Sequence, residues 1–170
     1  MIENTGWYPT DKKELYEEVA LQLTGLFDDC PHIIANLSNA SALLKEAMED
    51  INWVGFYLLE SVEESEEVLV LGPFQGKPAC VEIPIGKGVC GTAVKENRIL
   101  LVKNVHEFPG HIACDGASNS EIVLPIHVDG KVWGVLDIDS PSIGRFEEED
   151  WNGLEKVVRV IEEMYEKNKK

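Results

Sequence analysis

The 170-residue chain predicts an α+β fold: a central antiparallel sheet, helices from the two ends of the chain packed on one face, and loops over the other. Three observations carry this. Apolar residues recur at helical spacing near both termini. The middle of the chain holds short β-favouring runs separated by turn residues. Asp129-Gly130 lies between two such runs and is the dipeptide of a tight hairpin. Helices and strands segregated along the chain in this way stack as helices on one side of a sheet. No repeat or linker composition interrupts the chain, so residues 1–170 are expected to form one domain.

In chain order, Leu15, Val19, Leu23 and Leu26 give a helix from Asp11 to about Asp28, capped by Thr10 or Asp11. A second helix after Pro31 carries Leu43, Leu44, Ala47 and Met48. Asn52 to Leu59 reads as a strand, and acidic Ser61 to Glu67 as a solvated hairpin loop. Val68 to Leu71 is the next strand, closed by Gly72-Pro73. Val81 to Ile85 is shorter and, because Pro84 cannot donate to a ladder, belongs at an edge. Gly86 to Gly91 leads into a short helix ending near Asn97, and Ile99 to Val102 is extended again. Asn104 to Ser120 is a long irregular loop holding Cys114, a length that favours function. Ile122 to Val128 and Val132 to Ile138 flank the Asp-Gly turn. Glu147 to Tyr165 closes the chain as a helix with Trp151, Leu154, Val158 and Ile161 on one stripe.

Net charge is −16. Phosphate binding needs a compensating basic patch, so nucleic acid is not an expected partner, and anionic membrane surfaces are equally disfavoured. Residues 1–7 have no basic or apolar run of a signal peptide, and no stretch reaches the ~20 apolar residues of a membrane span. A cytoplasmic location is expected, with the four cysteines resting as thiols.

Alternation along Val132 to Asp139 puts Asp137 and Asp139 on one face, Leu136 and Ile138 on the other. Open to water, the aspartates are simply polar-out residues. Covered by loops, alone or joined by Glu121, they must take raised pKa values. Trp53, Gly55 and Tyr57 share a face in the same way; Trp53 and Tyr57 either pack in core or wall a small pocket with polar tips. A zinc site would draw on Cys80, Cys90, Cys114 and His106 or His111, but these are scattered and form no Cys-x-x-Cys knuckle. A thiol pair cycling through a disulfide accounts better for Cys114 in a flexible loop. Cys30, beside Pro31, reads as structural. Gly86-Lys87-Gly88-Val89-Cys90-Gly91 matches G-x-G-x-x-G, yet Pro84 breaks the preceding strand and the following helix is short, which argues against a dinucleotide.

Taken together, Asn52-Trp53-Val54-Gly55-Phe56-Tyr57, Leu71-Gly72-Pro73-Phe74-Gln75-Gly76, Cys80 and Ile85-Gly86-Lys87-Gly88-Val89-Cys90-Gly91 form one motif set. It continues with His111-Ile112-Ala113-Cys114-Asp115, Ser118-Asn119-Ser120-Glu121-Ile122-Val123 and Gly134-Val135-Leu136-Asp137-Ile138-Asp139-Ser140. The set resembles the free methionine-(R)-sulfoxide reductases, which are built on a GAF domain, from about Thr5 to the final helix. The resemblance implies an oxidoreductase active against oxidative stress, with Cys114 as nucleophile. Its thiolate attacks the sulfoxide sulfur, methionine leaves, and Cys80 or Cys90 condenses with the resulting sulfenic acid. Thioredoxin, supplied with electrons from NADPH by its reductase, then reduces the disulfide; no bound cofactor is implied. GAF domains often pair through terminal helices, so a homodimer is expected.

The residues give reasons for that chemistry. An ordinary cysteine is only about 3% thiolate at pH 7, and nearby carboxylates lower the fraction, so the acids serve the substrate instead. A carboxyl with a raised pKa can protonate the sulfoxide oxygen, and a remaining carboxylate can pair with the ammonium that a peptide-bound methionine lacks. Glu121 and Asp139 are assigned to the sulfoxide, Asp137 to the ammonium, Trp53 and Tyr57 to the S-methyl group, and backbone N–H groups before Cys114 to the substrate carboxylate. The alternative is a GAF sensory module that binds a small ligand without turnover; a zinc-stabilised interaction domain is a third option.

Overall fold

A computed structural model describes residues 7–63, 66–112 and 114–169. Residues 1–6, where the predicted resemblance begins, Glu64 and Ser65 of the predicted hairpin loop, and Ala113 beside Cys114 lie outside the described residues. Six strands form one antiparallel sheet in the order β3-β2-β1-β6-β5-β4. They are β1 (Trp53–Glu63), β2 (Glu66–Gln75), β3 (Glu82–Pro84), β4 (Leu100–Val102), β5 (Ser120–Val128) and β6 (Lys131–Ser140). The helices are α1 (Lys12–Phe27), α2 (Ile33–Ala47), α3 (Gly88–Glu96) and α4 (Glu148–Asn168).

The alternating faces divide the interior in two. Val54, Phe56, Ile122, Leu124, Leu136 and Ile138 point to one side and pack against α1, α2 and α4. Trp53, Tyr57, Val123 and Val135 point to the other, where α3 and the loops cover them. This is the predicted α+β arrangement, with the terminal helices on one face. β3, with Pro84 at its end, is an edge strand. Asp129 and Gly130 both take positive φ, 51° and 73°, as a primed two-residue turn requires. Asp11 caps α1 by accepting from the Glu14 N–H at 3.0 Å.

Three boundaries differ from expectation. The stripe on α1 ends at Phe27, which is buried, and not at Leu26, which is exposed; from Leu23 the full i+4 step reaches the core. The acidic 61–67 segment is mostly paired strand, with Ser61 opposite Glu67, because cross-strand bonding outweighs the lack of apolar residues in a two-stranded extension. β2 also runs through Gly72-Pro73 to Gln75. A register shift between Gly55 and Tyr57 falls opposite them, and a bulge is where a strand tolerates proline.

Candidate active site

Register builds the floor of the site. Trp53 on β1 lies opposite Asp139 on β6, and Asp139 lies opposite Glu121 on β5. Two residues along, Asp137 has Gly55 and Val123 as its neighbours. The three acids therefore project together from adjacent strands, on the face away from the large helices. The wall is aromatic: Trp53 stacks between Phe74 and Tyr57, with ring centroids 5.2 and 5.9 Å away. Both polar tips are satisfied, since Trp53 Nε1 donates to the Lys77 carbonyl at 3.1 Å and the Tyr57 hydroxyl to the Cys80 carbonyl at 2.9 Å. These bonds fix the segment that carries Cys80.

The other wall is α3 and the 104–120 loop. Gly88 opens α3 at φ 58° beneath Ile112. At Gly91, a Cβ would fall 2.4 Å from the Pro84 carbonyl oxygen. The glycine motif thus permits close packing of α3 on the β3 end, which brings Cys90 to the site, and the sheet beside it is antiparallel. In the loop, Asp115 accepts from the Ala117 N–H at 2.9 Å and from Asn52 Nδ2 at 3.1 Å. Asn52 Nδ2 also donates to Ser118 Oγ at 3.0 Å. That turn holds Cys114 against Cys80, and the two sulfurs form a disulfide. Cys30 and Cys90 are free thiols, Cys90 buried. With two of the three sulfurs bonded to each other, the four-ligand zinc set considered from sequence is not assembled. Among the described residues a different trio, Cys90, Glu121 and Asp137, brings potential ligand atoms within 4.8 Å of one another.

Burial dominates the electrostatics. It pushes the Glu121 carboxyl well above the usual range, and the Asp137 and Asp139 charges push it further. Asp137 is raised to about 6, chiefly by burial, and Asp139 is raised by burial, then by Asp137 and Asp115. The same burial, followed by the Asp137 and Glu121 charges, holds the Cys90 thiol protonated. The carboxyls share protons as a group, so their titration is collective. Cys90 Sγ approaches Glu121 Oε1 at 3.9 Å, and His111 Nε2 approaches Glu121 Oε2 at 3.8 Å. Burial and His106 keep the His111 imidazole below its ordinary pKa. Asp115 is opposite in character, held low first by the Ala117 N–H.

A GAF domain model matches residues 32–163. The free methionine-R-sulfoxide reductase of Escherichia coli (strain K12) is 52% identical over 154 residues, covering 91% of this chain and 90% of its own. The chain belongs to the free methionine-R-sulfoxide reductase family of GAF domains. A solved family member, from Neisseria meningitidis in complex with its substrate, superposes with a TM-score of 0.88 at 42% identity, over 95% of each chain. The Staphylococcus aureus family member, also in complex with substrate, gives 0.81 at 55% identity over 88% of this chain and 95% of that one.

Of the site residues expected from sequence, Trp53, Tyr57, Cys90, Cys114, Glu121, Asp137 and Asp139 line one cavity, and Cys80 is bonded to Cys114. The carboxylates are covered rather than open to water, with Glu121 and Asp137 each only 6% exposed. Sequence reasoning assigned nothing to Asn52, Asp115 and Ser118, which shape the Cys114 turn, and used His111 only as a zinc ligand. The available signal was Asp115-Gly116-Ala117-Ser118, a composition suited to an Asx turn.

Proposed function

We propose that the chain reduces free L-methionine-(R)-sulfoxide to L-methionine, using Cys114 as the nucleophile. The carrying observation is the Cys80–Cys114 disulfide set beside buried carboxyls of raised pKa. The Cys114 thiolate attacks the sulfoxide sulfur while Glu121, supported by Asp139, donates a proton to the departing oxygen. Methionine leaves as the thioether and Cys114 becomes the sulfenic acid. Cys80 displaces its hydroxyl as water to form the disulfide, so we assign Cys80 as the direct resolving thiol. Cys90 stands next to Glu121 as a reserve thiol. Asp137 pairs with the substrate ammonium, Trp53 and Tyr57 take the S-methyl group, and backbone N–H groups before Cys114 take the carboxylate.

The disulfide must be reopened in every cycle. Thioredoxin, drawing on NADPH through its reductase, is the proposed reductant, in the cytoplasm where that system works. No described helix is long and apolar enough to cross a membrane. A homodimer through the terminal helices is also proposed; Leu21 on α1, 67% exposed, supports it, and light scattering on the purified protein tests it. The activity is tested by thioredoxin-coupled NADPH oxidation with each sulfoxide diastereomer. Turnover of the R form alone, abolished by Cys114→Ser, is expected. No turnover of either by reduced, folded protein would replace this reading with a ligand-binding module.

A further inference from the structure

Buried Glu121 and Asp137, partly buried Asp139 and a thiol face one another across a cavity without a lysine or arginine among the described residues lining it. In the disulfide form that cavity is about 30 Å³, room for an ion and a water or two. Asp137 Oδ1 is buried and accepts no hydrogen bond from a protein donor, and Asp137 lines the cavity, where the Glu121 carboxyl and the Cys90 thiol are its side-chain neighbours. A buried polar atom in that condition is rare in native proteins and calls for an ion, a water or a proton.

The donor chemistry selects among these. Cys90 is outside the disulfide and offers a soft sulfur beside two hard carboxylate oxygens, all within 4.8 Å of one another. Zinc takes sulfur at ~2.3 Å and carboxylate oxygen at ~2.0–2.2 Å, so a tetrahedral pair of such ligands is ~3.6 Å apart. Cys90 Sγ and Glu121 Oε1, at 3.9 Å, are within a few tenths of an ångström of that spacing. Magnesium and calcium favour all-oxygen sets, whereas a thiolate with carboxylates suits zinc and its borderline-soft neighbours. We propose that the disulfide form binds one borderline-soft divalent cation, of the zinc type, through Cys90, Glu121 and Asp137. Water completes the coordination, leaving the open pattern of a three-ligand zinc site. The site itself stands without the proposed reaction. On that reading, however, the ion occupies the carboxylates meant for substrate and restrains the resting enzyme.

The test uses Cys30→Ser protein with the Cys80–Cys114 disulfide formed, which leaves Cys90 as the one thiol of the four cysteines. Cobalt(II) is added as a spectroscopic stand-in for zinc, without any sulfoxide present, and a thiolate-to-cobalt charge-transfer band is expected. Further substitution of Cys90→Ser should abolish the band. Zinc affinity, read by competition with a chromophoric chelator, should correspond to one ion per chain. It should fall in both Cys90→Ser and Asp137→Asn, by at least the ~10–100-fold that loss of a mere outer-shell group costs. Near-UV circular dichroism establishes that each variant is folded. Absence of the cobalt band in folded protein, or zinc affinity unchanged by both substitutions, would overturn the proposal and leave shared protons as the occupants. Because no turnover is measured, an inactive protein that binds the metal would sink the reductase reading and leave this one intact.

Discussion

Glu121 is a strand carboxyl held well above the usual carboxylate range. Its raised pKa comes from burial first and from Asp137 and Asp139 second. As proton donor it must be protonated, so kcat/KM should fall as pH rises through the raised pKa of the group. Glu121→Gln should lower kcat/KM by about 10²–10⁴ and flatten that alkaline limb; an unchanged pH–rate profile would remove the role. Asp137 gives a stability prediction with a definite sign. Its folded-state pKa of about 6 lies above its unfolded value, so the folded state binds the extra proton. Its contribution is full below the unfolded pKa and is lost as pH rises through about 6. Asp137→Asn should therefore raise the melting temperature at pH 8 relative to wild type and much less at pH 4, while impairing turnover. Alternation already put Asp137 and Asp139 on one face with Trp53 and Tyr57. Whether that face was wet or dry could not be read from β6 alone, because loops from elsewhere in the chain decide it.

At the level of elements, α1 and α4 are joined by contacts that act at a distance from the chemistry. Asp150, buried at the start of α4, accepts from the Tyr16 hydroxyl and Lys12 Nζ, each at 2.7 Å, and from Arg145 Nη1 at 3.2 Å. Lys12, Tyr16 and Arg145 together with the Glu147 N–H outweigh its burial and hold its pKa low. Asp150→Ala leaves these donors without their acceptor and should destabilise by about 3–5 kcal/mol near neutrality. The difference should shrink as pH falls through the folded-state pKa, where wild type loses the same interaction; denaturant titration across pH measures it. One turn on, Gly153 faces the Tyr16 ring so closely that a Cβ would lie 2.0 Å from Cδ2. Gly153→Val should cost about 1–3 kcal/mol through overpacking, read as a lower melting temperature with kcat little changed. The α4 stripe was evident from its periodicity. The role of Gly153 was not, because an isolated helical glycine does not indicate which ring rests on it.

Across the whole molecule, the disulfide links the β2–β3 connection to the 104–120 loop, residues 34 apart in sequence. Closing a loop of that length restricts the unfolded chain by roughly 3–4 kcal/mol. A reductant should thus lower the melting temperature, and Cys80→Ser protein should be insensitive to it. Amide exchange should rise on reduction in the 103–118 segment and not in β5 or β6. Equal protection in both redox states would show that the loop is held by the Asn52, Asp115 and Ser118 bonds alone.

By itself, the sequence determined the alternation of the strands, the Asp129-Gly130 turn, the helical stripes and the motif set that gives the family. Each is a local pattern, and local sterics and periodicity are sufficient to specify it. Only the tertiary structure decided that Cys80, and not Cys90, lies bonded to Cys114. It also decided that Asn52 and Asp115 shape the Cys114 turn, that β2 passes through Pro73, and that Glu121 and Asp137 are buried together. These features depend on where segments far apart in the chain meet, and therefore on strand register and loop packing, which no single stretch of residues specifies.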